Sequence, residues 1–563
     1  MDTSGDRIEK LYKNYEILTD AKDKIGEHEL EYREILDAAG GSAKEKRLAS
    51  QFIGKFFKHF PSLAETAIDR QLDLCEDEDA QIRKQAIKDL PQLCKDSKEH
   101  TPKIGDILAQ LLVTEDVTEL QQVHQSLMTL AKFDSIGTLT GIFSQIISGD
   151  EPTRYRNFQF ILSKFIKTGP EVFTKEVEDF TIGEIKKILL DVSADEFHLC
   201  MSILNQTKLS KTVTGHAELV AIAVEQADLE ADLGALASDD ETVERFIQCS
   251  SEAMPYFSSQ VESTLFIKFM CEKLLPLNVW SLIGAGEEQP GTTQLRLLKV
   301  FAEMCGFCGT LEKPAEKVEA IYNVLLEYMP LPPADADMNE TPSFQFSHAE
   351  CLLYTLHTLG KQAPDLLTFP EDAAKLKDFR SRLQYLARGT QGYIKKLQEA
   401  VKGKTTEEMK SDENQIKVTA LRTTSNISTL IRDLFHTPPS FKSAIHLSWV
   451  VPKPKVAGAA GQDGKTASKR HAAITFDANG KSSADSKGPK QSKSGPTMYT
   501  PPSGKYSAKM RNGGGGGGNG DGKRRSGGGG GGRDGGFRRS GGGGGGGGGG
   551  FRRSGDGGGR RRY

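Results

Sequence analysis

The stretch QLDLCEDEDAQIRKQAIKDLPQLC, residues 71–94, decides the fold class of this chain. Its acidic run Glu76–Asp79 predicts the start of a helix, and the apolar residues that follow recur at helical spacing, so they share one face. The spacing typical of the second helix of a HEAT repeat is shown by Asp79, Ile82, Arg83, Ala86 and Leu90. The stretch therefore predicts an amphipathic helix inside a helical repeat.

Recurrence of this pattern supports a repeat. Basic residues stand at comparable places in successive predicted helices at Arg47, Arg83 and Arg156, which are 36 and 73 residues apart. The clearest units begin after the acidic turns at Asp79, Asp116 and Asp150. A period of about 36 residues belongs to stacked helix pairs, so we predict an all-α, elongated helical-repeat solenoid. The period fades beyond residue 205 while helical stripes persist, and only Ala444 to Val450 alternates like a strand.

Charge and glycine content divide the chain near Pro452. Residues 453–563 hold 23 basic and 6 acidic side chains and 37 of the 59 glycines, which leaves 50 basic and 70 acidic side chains before them. Such a glycine-rich arm has too few apolar side chains to fold alone. We therefore expect HEAT-like repeats over 1–205, an armadillo-like helical region over 206–450, and a disordered basic tail over 451–563.

The sequence also indicates the cellular environment of the protein. No apolar run approaches the roughly 20 residues of a membrane span, and the charged N-terminus lacks the apolar core of a signal peptide. We expect no membrane association, reduced cysteines and a monomeric body.

The segment LAQLL carries an LxxLL pattern at Leu108, Leu111 and Leu112. On an isolated helix these leucines could dock into an apolar groove of a partner. Inside a helical repeat the same leucines face the core, and the periodicity favours that interpretation.

A second candidate is the zipper-like series Leu376, Leu383 and Leu397, which lies on a seven-residue grid. Position 390, the grid point between Leu383 and Leu397, is Thr, and nearby glycines weaken the helix. A core stripe is therefore favoured over a coiled coil.

Catalytic and metal-binding patterns are missing from the sequence. Cys305 and Cys308 form CGFC, but no second CxxC and no nearby His complete a zinc site, so packed core residues are favoured. The polyglycine runs match nucleotide-binding patterns trivially, since they follow no strand and open no helix. We predict no enzymatic activity and no cofactor, and a convergent polar cluster in a deep pocket would contradict this.

The tail offers candidates for RNA binding, because clustered guanidinium groups attract phosphates and aromatic rings can stack on bases. These candidates are Arg524, Arg525, Phe537, Arg538, Arg539, Phe551, Arg552, Arg553, Arg560, Arg561 and Arg562. A solvated linker is the alternative. Two loose basic groups form a candidate nuclear import signal at Lys453, Lys455, Lys465, Lys469 and Arg470.

Several long phrases occur in order along the chain: KEKRLASQFIGKFFKHFP, QLDLCEDEDAQIRKQAIKDLP, GTLTGIFSQI, LLEYMPLPP and IRDLFHTPPSFKSAIHLSW, with TPPSGKYS in the tail. Read together, they closely resemble the apoptosis inhibitor five family, also called antiapoptosis clone eleven, over residues 7–450. The resemblance implies HEAT-like and armadillo-like halves, a predominantly nuclear location with some cytoplasmic protein, and no catalysis.

The resemblance also implies partners and a role. Family members are regarded as suppressors of programmed cell death that bind Acinus, an RNA-processing protein, and some are associated with fibroblast growth factor two. The family's LxxLL and zipper-like elements map onto Leu108, Leu111 and Leu112 and onto Leu376, Leu383 and Leu397. Two functions stay open: a nuclear interaction scaffold that restrains cell death, and an RNA-processing or mRNA-export adaptor that affects cell death indirectly.

Overall fold

The structure is a computed structural model, and it describes residues 4–230, 239–333, 344–404 and 408–450. All of these residues lie in the first of the two units into which contacts divide the chain, Met1–Ala459. The described residues form α-helices joined by short 3₁₀ and π turns, with no β-strand among them. The predicted all-α helical-repeat fold is confirmed, whereas the boundary at residues 205 and 206 stays a prediction.

The first twelve helices cover the region in which the sequence period is clearest. Their bounds are α1 Ser4–Asp20, α2 Glu29–Asp37, α3 Ala43–Phe56, α4 Ala64–Cys75, α5 Ala80–Asp89, α6 Thr101–Gln110, α7 Val117–Phe133, α8 Ser135–Ser148, α9 Glu151–Phe160, α10 Lys175–Ile188, α11 Ala194–Asn205 and α12 Val213–Gln226.

Eight further helices complete the described part of the chain. They are α13 Asp240–Ala253, α14 Thr264–Phe269, α15 Leu277–Trp280, α16 Thr292–Cys305, α17 Pro314–Glu327, α18 Phe346–Leu359, α19 Ala373–Val401 and α20 Asp412–Leu434. No helix in the described ranges combines the length and the apolar character needed to cross a bilayer.

The helices stack in two layers, as expected of paired helical repeats. One layer runs through α3, α5 and α7 and later through α9, α11, α13, α16, α18 and α20, and consecutive members within each run are in contact. The other layer includes α6, α8 and α10, which also contact one another in that order. An apolar core lies between the layers and continues from Leu11 to Leu447.

Helix starts in the first layer recur with the period read from the sequence. The N-cap residues of α3, α5, α7, α9 and α11 are Ser42, Asp79, Asp116, Asp150 and Ser193, spaced by 37, 37, 34 and 43 positions. Each aspartate accepts hydrogen bonds from backbone N–H groups of the first turn, and the two serines form capping boxes with a glutamate three residues later. The acidic turns predicted at Asp79, Asp116 and Asp150 are therefore helix caps.

The strand-like prediction for Ala444 to Val450 is wrong. This segment follows α20 without regular structure and ends in a turn. Ile445 and Leu447 pack against the helical core while Ala444 and His446 face solvent, which produces the alternation. Packing on a helical surface, rather than pairing with another strand, explains the period of two.

Candidate interaction surfaces

A charged rung ties neighbouring helices of the first layer together. Arg83, in the first turn of α5, donates from Nη2 to Glu119 Oε2 at 3.0 Å and from Nε to the same oxygen at 3.2 Å. Its Nη1 donates to the backbone carbonyls of Asp77 and Glu78 at 2.8 and 3.1 Å. Glu119, in the first turn of α7, is only 7% exposed, so this rung fixes α5 against α7.

A second rung of the same design joins α9 to α11. Arg154 donates from Nε and Nη2 to the two carboxylate oxygens of Glu196 at 2.6 and 3.0 Å, and from Nη1 to the carbonyl of Ile146 at 2.7 Å. Hydrogen bonding to Glu196 holds the pKa of the Arg154 guanidinium above its ordinary value. The sequence pattern had indicated Arg156 for this position, and that prediction is wrong. Arg156 lies on the exposed side of α9.

The two rungs share a rule that the sequence pattern did not capture. In both, an arginine four residues after the N-cap of one helix meets a glutamate three residues after the N-cap of the next helix in that layer. In α7 the arginine position is occupied by Leu120, which packs against the core instead. The absence of a basic residue near Gln121 therefore means that α7 has no equivalent of the ion pairs made by Arg83 and Arg154.

The LxxLL leucines lie at the end of α6. Leu108 and Leu112 are buried in the core, and Leu111 is half-buried against it. The last two begin a 3₁₀ turn, Leu111–Val113, so the motif does not continue as an α-helix. Docking of these leucines into a partner groove would require α6 to leave the core.

The zipper-like leucines lie along α19, a single helix of 29 residues that packs on α20. Leu383 and Leu397 are buried and Leu376 is half-buried against the core. Thr390 is also buried, and its hydroxyl donates to the carbonyl of Leu386 within the helix. The seven-residue grid therefore coincides with the face of α19 that the body already covers.

The cysteines are thiols, and all eight are free. Seven are buried, while Cys308 is half-buried. Burial raises the pKa of the Cys308 thiol to about 11, and it raises the pKa of Cys305 as well, so neither carries a reactive thiolate near neutral pH. Within the described residues, no group of three or more His, Cys, Asp or Glu side chains is placed to hold a metal ion.

A cleft of about 700 Å³ lies between the start of α11 and α13. Its charged lining includes Asp195, Glu241 and Arg245, together with the ion pair between Arg296 and Glu244, in which Nη2 and Oε2 are 2.8 Å apart. Among the described residues that line it there is no histidine. The cleft therefore presents mainly acidic and basic side chains.

Two buried carboxylates hold the segment that follows α20. Glu350, on α18, is fully buried and accepts hydrogen bonds from the backbone N–H and the hydroxyl of Ser448 at 3.0 and 2.7 Å, and from the side-chain amide of Asn426 at 2.6 Å. Trp449 donates from its ring nitrogen to Glu303 on α16 at 2.7 Å. Residues 448 and 449 are thereby fixed against two helices of the first layer.

Asp433, near the end of α20, is the second anchor. It accepts hydrogen bonds from the backbone N–H and the hydroxyl of Ser443 at 2.8 and 2.9 Å, and it lies 3.1 Å from the ring nitrogen Nε2 of His357. Burial opposes its charge, but the bonds from Ser443 and His357 hold the pKa of the Asp433 carboxyl below its usual range. Sequence reasoning missed both anchors, since nothing local distinguishes Glu350 or Asp433 from an exposed acid.

The remaining sequence candidates lie outside the described residues. This applies to the import candidates Lys453, Lys455, Lys465, Lys469 and Arg470. It applies equally to the tail candidates Arg524, Arg525, Phe537, Arg538, Arg539, Phe551, Arg552, Arg553, Arg560, Arg561 and Arg562.

Comparison with known proteins finds a matching family and relatives that are similar over most of the chain. The family described as Apoptosis inhibitory protein 5 (API5) matches residues 8–556. Apoptosis inhibitor 5 homolog of Drosophila melanogaster is 59% identical over 516 residues, covering 90% of this chain and 94% of the relative. Apoptosis inhibitor 5 of Homo sapiens is 47% identical over 515 residues, with 90% and 94% covered.

A structural match is much weaker. A chain from a solved structure of Kap95p with RanGDP has a TM-score of 0.25 at 13% identity, and the match covers 76% of this chain and 53% of that one. That score is too low to add to the fold derived above.

Proposed function

The chain belongs to the apoptosis inhibitory protein 5 family, and from this premise we propose that it is a non-enzymatic nuclear scaffold that negatively regulates programmed cell death. The family name implies the anti-apoptotic role. The observation that supports a scaffold is the two-layered helical repeat, whose interior is filled by its own leucines and aromatic rings and whose charged groups serve as caps, rungs and anchors.

Protein recognition is assigned to the surface of the helical body. Residues 1–372 carry 36 basic and 63 acidic side chains, so this part suits partners with basic surfaces. An Acinus-like RNA-processing factor and fibroblast growth factor two are the partners that we propose for the body. Neither proposal uses the LxxLL or zipper leucines as contacts, because the described structure buries most of them.

The basic tail is assigned to RNA. Its paired arginines would neutralise phosphates, and the neighbouring phenylalanines would stack on bases without strict sequence preference. The import candidates between residues 453 and 470 would account for nuclear accumulation, with some protein remaining in the cytoplasm. Substituting those five basic residues by glutamine in a tagged full chain should abolish nuclear accumulation, and unchanged accumulation would refute the assignment.

The basic composition of the tail favours one alternative, an RNA-processing or mRNA-export adaptor with an indirect effect on cell death. The two functions differ in whether the tail is needed for survival. A full chain in which Arg524, Arg525, Arg538, Arg539, Arg552, Arg553, Arg560, Arg561 and Arg562 are replaced by glutamine is expressed in cells that lack the endogenous protein. Survival after an apoptotic stimulus is then measured beside the unmodified chain.

The scaffold proposal predicts that this tail variant restores survival as well as the unmodified chain does. Loss of survival together with retained partner binding would favour the adaptor. A full chain that fails to restore survival in either form would contradict the anti-apoptotic role in these cells.

A further inference from the structure

The folded body is itself divided in charge, apart from the tail. Residues 373–450, which contain α19 and α20, carry 14 basic and 7 acidic side chains. The 372 residues before them carry 36 basic and 63 acidic side chains. The region of the last two helices is therefore positively charged, whereas the part of the body before it is acidic.

Four exposed cations follow one side of α19 and its C-cap, and we call them the basic ridge: Lys377, Arg388 and Lys395 on the helix and Lys402 directly after its last residue. All four are exposed, and the spacings of 11 and 7 residues place Lys377, Arg388 and Lys395 on one side of the helix. The ridge spans about 38 Å at 1.5 Å per residue. It lies opposite the face that Leu383 buries against the body.

The ridge cations are not used by the fold. Across the described ranges, none of the four makes an ion pair or a side-chain hydrogen bond, in contrast to their neighbours on the same helix. Lys375 pairs with Glu319, and Arg382 pairs with Asp378 and donates to the carbonyl of Met329 at 2.7 Å. Neutralising the ridge would therefore remove charge without removing a contact that holds α19.

The side chains between the cations indicate the chemistry of the ligand. Gln384, Gln391 and Gln398 lie on the same face, all exposed, and no large apolar side chain interrupts them. A helical partner or a second copy of this chain would need apolar anchors for affinity, and this face offers none. Glutamine amides and cations together suit a long anion rich in oxygen acceptors. Glu399, the one acidic residue of α19 that forms no ion pair in the described part, lies on the same face and adds one negative charge between Lys395 and Lys402.

We propose that the basic ridge of α19 binds the phosphodiester backbone of an RNA strand, as a second RNA-binding site distinct from the tail. A nucleic acid supplies one negative charge per nucleotide at regular intervals, so a strand lying along the helix meets all four cations. The contacts reach phosphates alone, and the ridge therefore binds without sequence preference. This inference shares the RNA partner of the proposed function, but it rests on α19 alone.

The expected magnitude follows from counterion release. Each phosphate neutralised on a single strand adds about 0.7 to the slope of log affinity against log salt concentration, so four contacts contribute a slope of about 3. Between about 150 and 600 mM salt, that contribution corresponds to roughly a 50-fold loss of affinity.

The experiment uses the full chain with nine of the twelve tail arginines replaced by glutamine, which leaves 14 basic and 6 acidic side chains in residues 453–563 and so weakens any contribution of the tail. Into this background we place the ridge variant, K377Q, R388Q, K395Q and K402Q. The matched control removes the same net charge from exposed lysines without ion pairs in the described part of other helices and turns: K13Q, K88Q, K132Q and K164Q. Affinity for a fluorescent 25-nucleotide poly(U) strand is measured by anisotropy across a salt series, and far-ultraviolet circular dichroism verifies helicity.

The ridge variant should lose at least 10-fold in affinity at about 150 mM salt, and its salt slope should fall by about 3, while the control variant keeps both the affinity and the slope. Equal affinity in the ridge and control variants would overturn the proposal. A poly-glutamate peptide is tested in parallel, and an effect of the ridge variant on that peptide with none on RNA would also overturn it, in favour of an acidic protein partner. Unchanged RNA affinity after the tail substitutions alone would instead contradict the RNA role of the tail and leave the ridge result independent.

Discussion

Replacement of Arg83 by methionine should loosen the contact between α5 and α7 far more than the same change at Arg47. The Arg83 guanidinium meets Glu119, whose side chain is only 7% exposed, and it also donates to two backbone carbonyls. Arg47 meets Asp79 at 3.3 Å, with both side chains more than 40% exposed. Each variant removes one guanidinium group from a helix of the first layer. The two ion pairs that are lost differ chiefly in how far they are shielded from water.

The expected free-energy changes follow from that difference. Breaking a fully buried pair costs about 3–5 kcal/mol, and an exposed pair is worth about 0.2–1 kcal/mol. Arg83 is 25% exposed, so we expect about 2 kcal/mol of local destabilisation for Arg83→Met. Arg47→Met should cost about 0.5 kcal/mol or less. The destabilisation of about 2 kcal/mol expected for Arg83→Met corresponds to about a 30-fold increase in the local opening equilibrium relative to the unmodified chain.

Hydrogen exchange measured by mass spectrometry is the suitable assay, because long repeat arrays do not unfold in one step and a single melting curve would mix several events. Amides of α5 and α7 should exchange about 30-fold faster in Arg83→Met, and those of α16 should not change. The double variant Arg83→Met, Glu119→Met should recover much of the protection, since it leaves no unpaired carboxylate. Equal effects of Arg83→Met and Arg47→Met would refute the reasoning.

Three further outcomes can be checked on the full chain. Leu108→Ala should cost about 2–5 kcal/mol because it opens a cavity in the core, and the amides of α6 should exchange hydrogen faster, an effect that exposed Val117→Ala does not produce. Hydrogen bonds from Thr118 and Glu119 lower the pKa of Asp116 to about 2, so its stabilising effect is present above pH 4 and is lost as the pH falls towards 2. Asp116→Asn keeps a cap, and the extra protection of the α7 amides in the unmodified chain relative to this variant should therefore disappear over that range. In the native chain one thiol should react slowly with maleimide, faster as the pH approaches 11, and Cys308→Ser should remove this reaction.

Local signals made the helices and their starts predictable from the sequence. A cap and an apolar stripe are properties of about ten consecutive residues, and Asp79, Asp116 and Asp150 cap their helices as the pattern required. The regular period fades where the spacing between caps of the first layer lengthens, from 43 residues between Asp150 and Ser193 to 46 between Ser193 and Asp239 and 52 between Asp239 and Gly291. The fading of the repeat in the sequence is thus a change in the length of the connections, and stacking continues.

Contacts between distant residues were harder to predict. Arg154 and Arg156 are two positions apart and point to different sides of α9, and only the position of Glu196, 42 residues later, decides which of them forms the rung. Likewise, the return of the chain to Glu350 depends on a partner 98 residues away at Ser448. Composition and periodicity carry no information about such pairs, since an acid that anchors a segment has the same local surroundings as a solvated one.

The opposite charges of the two parts of the body also restrict how the basic ridge can act. Lower salt strengthens each contact between the ridge and a phosphate, but it also extends the repulsion of RNA by the acidic residues before position 373. At about 0.15 M salt the screening length is roughly 8 Å, so a strand on α19 responds mainly to charges on that helix and its neighbours. At 0.01 M salt the screening length reaches about 30 Å, comparable to the length of the ridge, and repulsion should then flatten the gain in affinity. The slope is therefore informative at and above physiological salt, where the four cations act nearly alone.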